Sequence, residues 1–350
     1  MNFIISRQAP WLFRRRALSS NLRYGKISPD SSDMNYRFIC AIHYFELEKK
    51  EISISLPSGS ISNERKMLVE TFDNNLSIGT LGVHSIDEIT EAPSYYIVEG
   101  AFENAQTEAA CDAYGTQVTF AFLRQIQTFI GSFWMLRDNC AYVRDGFLYV
   151  YDKDIADGCT FKASVSLVNS SASGEQRNVC FTEKEILDMS KDMTLFDVKE
   201  VVEQKISYRD PTQKQHYKSA GLGKKEMGEM YVALARGEMV IPMKVMAYCM
   251  ALEALVANTT TELSHRVAER VAVLIGNTKE DRCEIYAIVK KSYDVRSKIA
   301  HGDFIKGNED DIRRYSEKLD IYLRQLLNLT EPYEQEKNKI EDYYLGLLMT

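Results

Sequence analysis

The sequence predicts an α+β chain, with a mixed β-rich N-terminal domain followed by an all-α antiparallel helical bundle. Three observations carry this. Apolar and polar residues alternate with period two over about 29 to 181, and the period changes to 3.6 from 182 onward. A polar stretch with Pro211 and Gly221 to Gly223 separates the two patterns. The 350 residues, 45% of them apolar, are enough to bury a core in two domains. The expected parts are a basic segment over 1–28, a mixed α/β domain over 29–210, a bundle over 222–330 and a C-terminal helix over 331–350.

Residues 1–28 contain six basic side chains and no acid, so against a net charge of −7 for the whole chain the remainder carries −13. Such a start reads as a solvated tail, as a transit peptide or as a basic arm for nucleic acid. The strands follow as YRFICAIHYF (36–45), EISISLP (51–57), SYYIVEGAF (94–102) and TFKASVSLV (160–168), all rich in aromatic and β-branched residues. In AYVRDGFLYVY (141–151), Asp145-Gly146 between two apolar runs is a hairpin signal, because both turn positions favour positive φ. The stretch 106–137 reads as one long helix crossing the sheet. No Gly-rich phosphate loop, nucleophile elbow or His cluster occurs in this half, so its role is not legible.

The helices that follow have readable ends. Thr182 and Glu185 make a capping box. MGEMYVALAR (227–236) stops at Gly237, and Pro242 stands in the first turn of PMKVMAYCMALEALVA. Thr259 and Glu262 box a helix carrying Leu263, Val267, Val271 and Leu274, ended by Gly276. Thr278 and Asp281 open another, with Ile285, Val289 and Tyr293 four apart and Gly302 closing it. Asn308 and Asp311 begin a fifth, and Pro332 sets off a tail helix over roughly 333–348.

Several function classes are excluded. No run of about 18 apolar residues occurs, since VTFAFLRQIQTFIGSFWML (118–136) is interrupted by Arg124 and Gln125. A soluble, cytoplasmic protein with no membrane partner is expected. Seven scattered cysteines without a C-x-x-C pair argue against both zinc and a disulfide framework.

The chemistry-bearing stretch is DVRSKIAHGD (294–303). An Arg followed by a His after four to six residues also occurs at Arg37/His43 and Arg209/His216, so the pair Arg296/His301 is weak by itself. A His in a last turn before Gly is well explained by the helix dipole, and Arg296 has Asp294 and Glu253 as candidate partners. Its neighbours add weight. Residues 290–307 hold Lys290, Lys291, Arg296, Lys298 and Lys306 against Asp294 and Asp303, a local surplus of three positive charges suited to phosphate. Five residues along a regular helix separate two side chains by about 7.5 Å and roughly 140°. Joint action therefore requires that His301 sit at an unwound end, or that a second copy complete the pocket.

The block MALEALVAN…ELSHRVAERVAVLIG…IYAIVKKSYDVRSKIAHGD (250–303) resembles the HEPN superfamily of helical-bundle ribonucleases, and within it the Apea-like HEPN domains. The resemblance covers about 225–330. It implies that Arg296 and His301 are a catalytic pair, that two copies face one cleft as a homodimer, and that neither metal nor cofactor takes part. The residue after the Arg is often Asn, Asp or His in active members, whereas here it is Ser297. RNA supplies its own nucleophile, the 2′-hydroxyl. His301 would move protons, and Arg296 would neutralise charge on the phosphate, leaving a 2′,3′-cyclic phosphate. Lys298 and Lys291 would bind backbone phosphates, with Ser297 and Glu253 in support. The implied setting is anti-phage defence or a toxin, triggered by a regulatory protein or phage component and with the N-terminal domain sensing or selecting. The competing class is an inactive dimerisation or protein-binding module. His265 beside Arg266 reads as a solvated face, and Met239, Met243, Met246 and Met250 read as core or dimer contact.

Overall fold

A computed structural model describes residues 33–103, 108–165, 167–193, 223–258, 261–303, 308–334 and 339–349. The basic start 1–28, the separator 210–222 and Thr259 lie outside the described residues. The fold is α+β, an antiparallel sheet region followed by an all-helical region.

In the first unit the order is β1 (Asp33–Ile42), β2 (Phe45–Leu47), β3 (Ser53–Ser55), β4 (Ser60–Ser62), α1 (Arg65–Phe72), α2 (Asn75–Leu81), α3 (Val83–Glu91), β5 (Ser94–Glu103), α4 (Glu108–Ser132), β6 (Asp145–Tyr151), β7 (Gly158–Ser164), β8 (Val179–Phe181) and α5 (Glu183–Ser190). Six strands form one sheet in the order β3-β4-β5-β1-β6-β7, all pairs antiparallel, while β2 and β8 pair in parallel. The period-two alternation sends Phe38, Cys40, Tyr96, Val98, Leu148 and Val150 to one core with Val118, Phe122 and Ile126 of α4. The intervening Ile39, Ala41, Tyr95, Ile97, Phe147 and Tyr149 pack in a second core with Leu68, Phe72, Leu76 and Ile89 of α1 to α3. Both sheet faces are thus covered, and the three short helices that cover one of them were not foreseen.

Asp145-Gly146 is a second correction. The two residues open β6, where Asp145 pairs with Ser164 and Gly146 with Ala163, so no hairpin turns there. A Cβ on Gly146 would stand 2.7 Å from the ring of Phe38, so close packing, not a turn, requires the glycine.

The second unit contains α6 (Lys224–Arg236), α7 (Ile241–Val256), α8 (Leu263–Ile275), α9 (Lys279–His301), α10 (Glu309–Leu327), α11 (Glu331–Glu334) and α12 (Ile340–Leu348). Helix α7 is central and buries Ile241, Lys244, Val245, Ala247, Tyr248, Cys249, Ala251, Leu252, Leu255 and Val256 against its neighbours. The capping residues act largely as read: Pro242 lies in the first turn of α7, Thr278 accepts from the Asp281 amide, and Asn308 accepts from Asp310. The residue before α8 is Glu262 itself, in the left-handed region at φ 52, with no side-chain cap.

Residues Asn169–Gln176 belong to this helical unit, although they precede β8 in the chain. Their backbone is held by helix side chains: Ser316 Oγ donates to Ala172 O at 2.6 Å, and Arg313 Nη1 donates to Ser173 O at 2.8 Å. Fully buried Lys244 donates to Ala235 O at 2.7 Å and to Ser170 O at 3.4 Å. Gly174, at φ 83, lies so close to Ile241 that a Cβ would stand 2.4 Å from its Cδ1.

Candidate functional site

Helix α9 carries most of the residues singled out above. Its amphipathic pattern buries Ile285, Ile288, Val289, Ser292, Tyr293 and Val295, with Glu280 and Asp281 at its positive end and Lys298 and His301 at its negative end. It stops at Gly302, which takes φ 71; the Gly302 amide donates to Ile299 O at 3.1 Å and the Asp303 amide to Lys298 O at 2.8 Å. This is a Schellman-type closure, and it fixes where the last turn ends.

His301 is therefore the last residue of a regular helix, not a side chain released at an unwound end. Arg296 and His301 remain about 7.5 Å and roughly 140° apart along the axis. One chain does not bring them together. Ser297 and His301, four apart, share a face and are both exposed; Lys298 flanks them half-buried and Lys291 is exposed. Lys290, by contrast, donates to Ser264 Oγ at 2.9 Å.

Arg296 points toward α7. Its Nη2 lies 3.3 Å from Glu253 Oε1, with the side chains 34% and 22% exposed, so the guanidinium is held by a carboxylate and still reachable from solvent. Of the partners weighed from sequence, Glu253 holds it. The same face of α7 carries Cys249 one turn earlier, and the same side of α9 carries Tyr293 one turn before Arg296. Burial pushes both the Cys249 thiol and the Tyr293 phenol up, away from ionisation, with Glu253 adding to each. In the sequence Tyr293 stands in the apolar stripe of Ile285, Val289 and Tyr293 and opens the run that leads to Arg296 and His301, and neither place reveals a hydroxyl beside a carboxylate. Met243, Met246 and Met250 continue this face of α7 away from Glu253; Met243 is exposed, as is Met239 before the helix, while Met246 and Met250 are half-buried.

The other Arg–His matches resolve into separate contacts. Arg37 pairs with Glu99 and donates to Thr71 Oγ1 at 2.9 Å, whereas His43 Nε2 lies 2.9 Å from Glu88 Oε1. Arg209 and His216 lie outside the described residues. His265 Nδ1 lies 2.7 Å from Tyr286 Oη. Among the described residues no helix is long and apolar enough to cross a membrane.

Compared with protein-family models, curated proteins and solved structures, the chain matches none.

Proposed function

We propose that this chain is an endoribonuclease of the HEPN type, metal-independent, that cleaves RNA by attack of the 2′-hydroxyl. The observation that supports it best is the Arg296–Glu253 pair: a guanidinium preset by a carboxylate yet open to solvent, on the same helix as an exposed imidazole five residues further on. Because Arg296 and His301 diverge on α9, the reading requires two chains, with Arg296 of one facing His301 of the other across a two-fold axis. The imidazole takes the 2′-hydroxyl proton as the 2′-oxygen bonds to phosphorus. The bond from phosphorus to the 5′-oxygen breaks, and a protonated imidazole returns a proton to that oxygen, leaving a 2′,3′-cyclic phosphate and a 5′-hydroxyl. Arg296 binds the phosphate oxygens as charge accumulates, a role for which a forked, permanently charged group is suited. Lys298 and Lys291 hold flanking phosphates, and Ser297 donates a hydrogen bond beside His301. Anti-phage defence or a toxin role in the cytoplasm, with the sheet unit sensing a phage or protein trigger, completes the proposal.

The test is direct. Purified protein is incubated with labelled RNA in the presence of EDTA, and the 3′ ends are analysed; cyclic phosphate ends that vanish in His301→Ala and Arg296→Ala support the reading, and undiminished cleavage by either variant refutes it. One observation favours a second reading, a dimerisation or protein-docking module: Leu234, Met239, Val240 and Met243 are exposed together around the α6–α7 connection. On that reading the same incubation leaves the RNA intact.

A further inference from the structure

Resting on the ribonuclease reading, a further residue of the site follows from the contacts beneath Arg296. Tyr293 is 6% exposed, and its ring fills the α7–α9 contact as a Phe would. Its hydroxyl is therefore the feature to explain. That oxygen is sealed from water and makes no hydrogen bond of full geometry with any described residue, and the same is true of Glu253 Oε1, the oxygen nearest Arg296. Buried polar atoms of native proteins are nearly always paired, so two such atoms side by side call for a reason. They are neighbours: Tyr293 lies three residues before Arg296 on α9, so both side chains face the stretch of α7 that holds Glu253, and the phenol interacts with that carboxylate.

We propose that Tyr293 is a positioning residue for Arg296, acting through Glu253: its hydroxyl serves as the donor that holds the carboxylate when the guanidinium turns to phosphate. The physical need is clear. When Arg296 leaves Glu253 for an RNA phosphate, Glu253 Oε1 is left a bare, buried charge unless a second donor replaces the guanidinium, and unpaired buried charge opposes the movement. Tyr293 is placed for that exchange, and its burial keeps the proton on the phenol at any working pH. Without the hydroxyl, Glu253 competes with phosphate for Arg296. With a neutral Gln at 253 the competition disappears, and so does the need for the hydroxyl.

The test uses the full chain. Tyr293→Phe is expected to lower kcat for RNA cleavage about tenfold with KM little changed, and Glu253→Gln placed on top is expected to recover most of that loss, a coupling that mere packing does not produce. A second readout is independent of activity: the Arg296 Nε–H resonance, assigned by its loss in Arg296→Lys, is expected to shift in Tyr293→Phe and to stay in place when Tyr293→Phe is added to Glu253→Gln. An unmoved resonance together with additive kinetic effects overturns the proposal. A moved resonance in a protein whose RNA cleavage ignores Arg296→Ala keeps Tyr293 as the positioner and removes the ribonuclease reading instead. Melting temperatures of the variants, expected within a few degrees of the parent, exclude misfolding as the cause.

Discussion

Gly302→Ala isolates the device that ends α9 at His301. The glycine sits at φ 71, and a Cβ built there meets nothing within 4 Å among the described residues, so the substitution adds no clash with any of them. What remains is the backbone cost of holding an L-residue in the left-handed region, about 1–2 kcal/mol. The hydrogen bonds from Gly302 to Ile299 O and from Asp303 to Lys298 O should survive, because neither involves the added methyl. For a unit of this size that loss lowers the melting temperature by about 3–6 °C. Thermal and urea denaturation of the full chain, with Gly302→Asn as an intermediate case because Asn tolerates the left-handed region better, provide the assay. A Gly302→Ala chain as stable as the parent would refute the left-handed closure and, with it, the placement of His301 in the last helical turn.

Three further outcomes follow from contacts away from the site. Asp320, fully buried, accepts from Tyr248 Oη at 3.0 Å and pairs with Arg324; Asp320→Ala removes the carboxylate from both contacts and leaves a cavity, and should cost about 1–3 kcal/mol in denaturant unfolding of the helical unit. Gly146→Ala forces a methyl onto the Phe38 ring and should cost about 1–3 kcal/mol, whereas a turn at 145–146 would leave the sheet core unaffected. Hydrogen bonding to His43, with Arg144 adding to it, holds the Glu88 carboxyl below its ordinary range against the opposing effect of burial. A carboxyl lowered in the folded state stabilises above its unfolded value and loses that contribution as pH falls through the folded one. Glu88→Gln should therefore be less stable than the parent by about 1–2 kcal/mol at pH 7, with the gap closing below about pH 4.

Much of this fold is legible in residue order, for identifiable reasons. Strands β1, β5 and β6 announce themselves because alternate residues serve two different cores, the helix starts at Thr278 and Asn308 carry side chains that do the capping, and Gly302 closes α9 because it alone lacks the Cβ that disfavours the left-handed backbone. Helices α1 to α3 escaped because they are 8, 7 and 9 residues long, too short for a 3.6-residue period to stand out from its surroundings. Asp145-Gly146 misled because a glycine required by the Phe38 ring has the same letter as one required by a turn. Residues 169–176 were read as part of the first domain, since what fastens them to α7 and α10 is their own carbonyl oxygens, which every residue has. In the candidate site, helical spacing gives the divergence of Arg296 and His301, whereas the choice between Asp294 and Glu253 as the partner of Arg296 is made by the packing of α7 against α9. The facing of Tyr293 and Glu253 needed the packed helices, because it joins residues forty positions apart.

The decisive measurement mixes two disabled chains. Arg296→Ala and His301→Ala proteins, each inactive alone, are combined under conditions that let subunits exchange, and RNA cleavage is followed. If guanidinium and imidazole come from different subunits, the mixed dimer holds one intact pair and the mixture regains cleavage that neither variant shows. Continued inactivity of the mixture, with the parent active and subunit exchange verified, would contradict a site built across two chains.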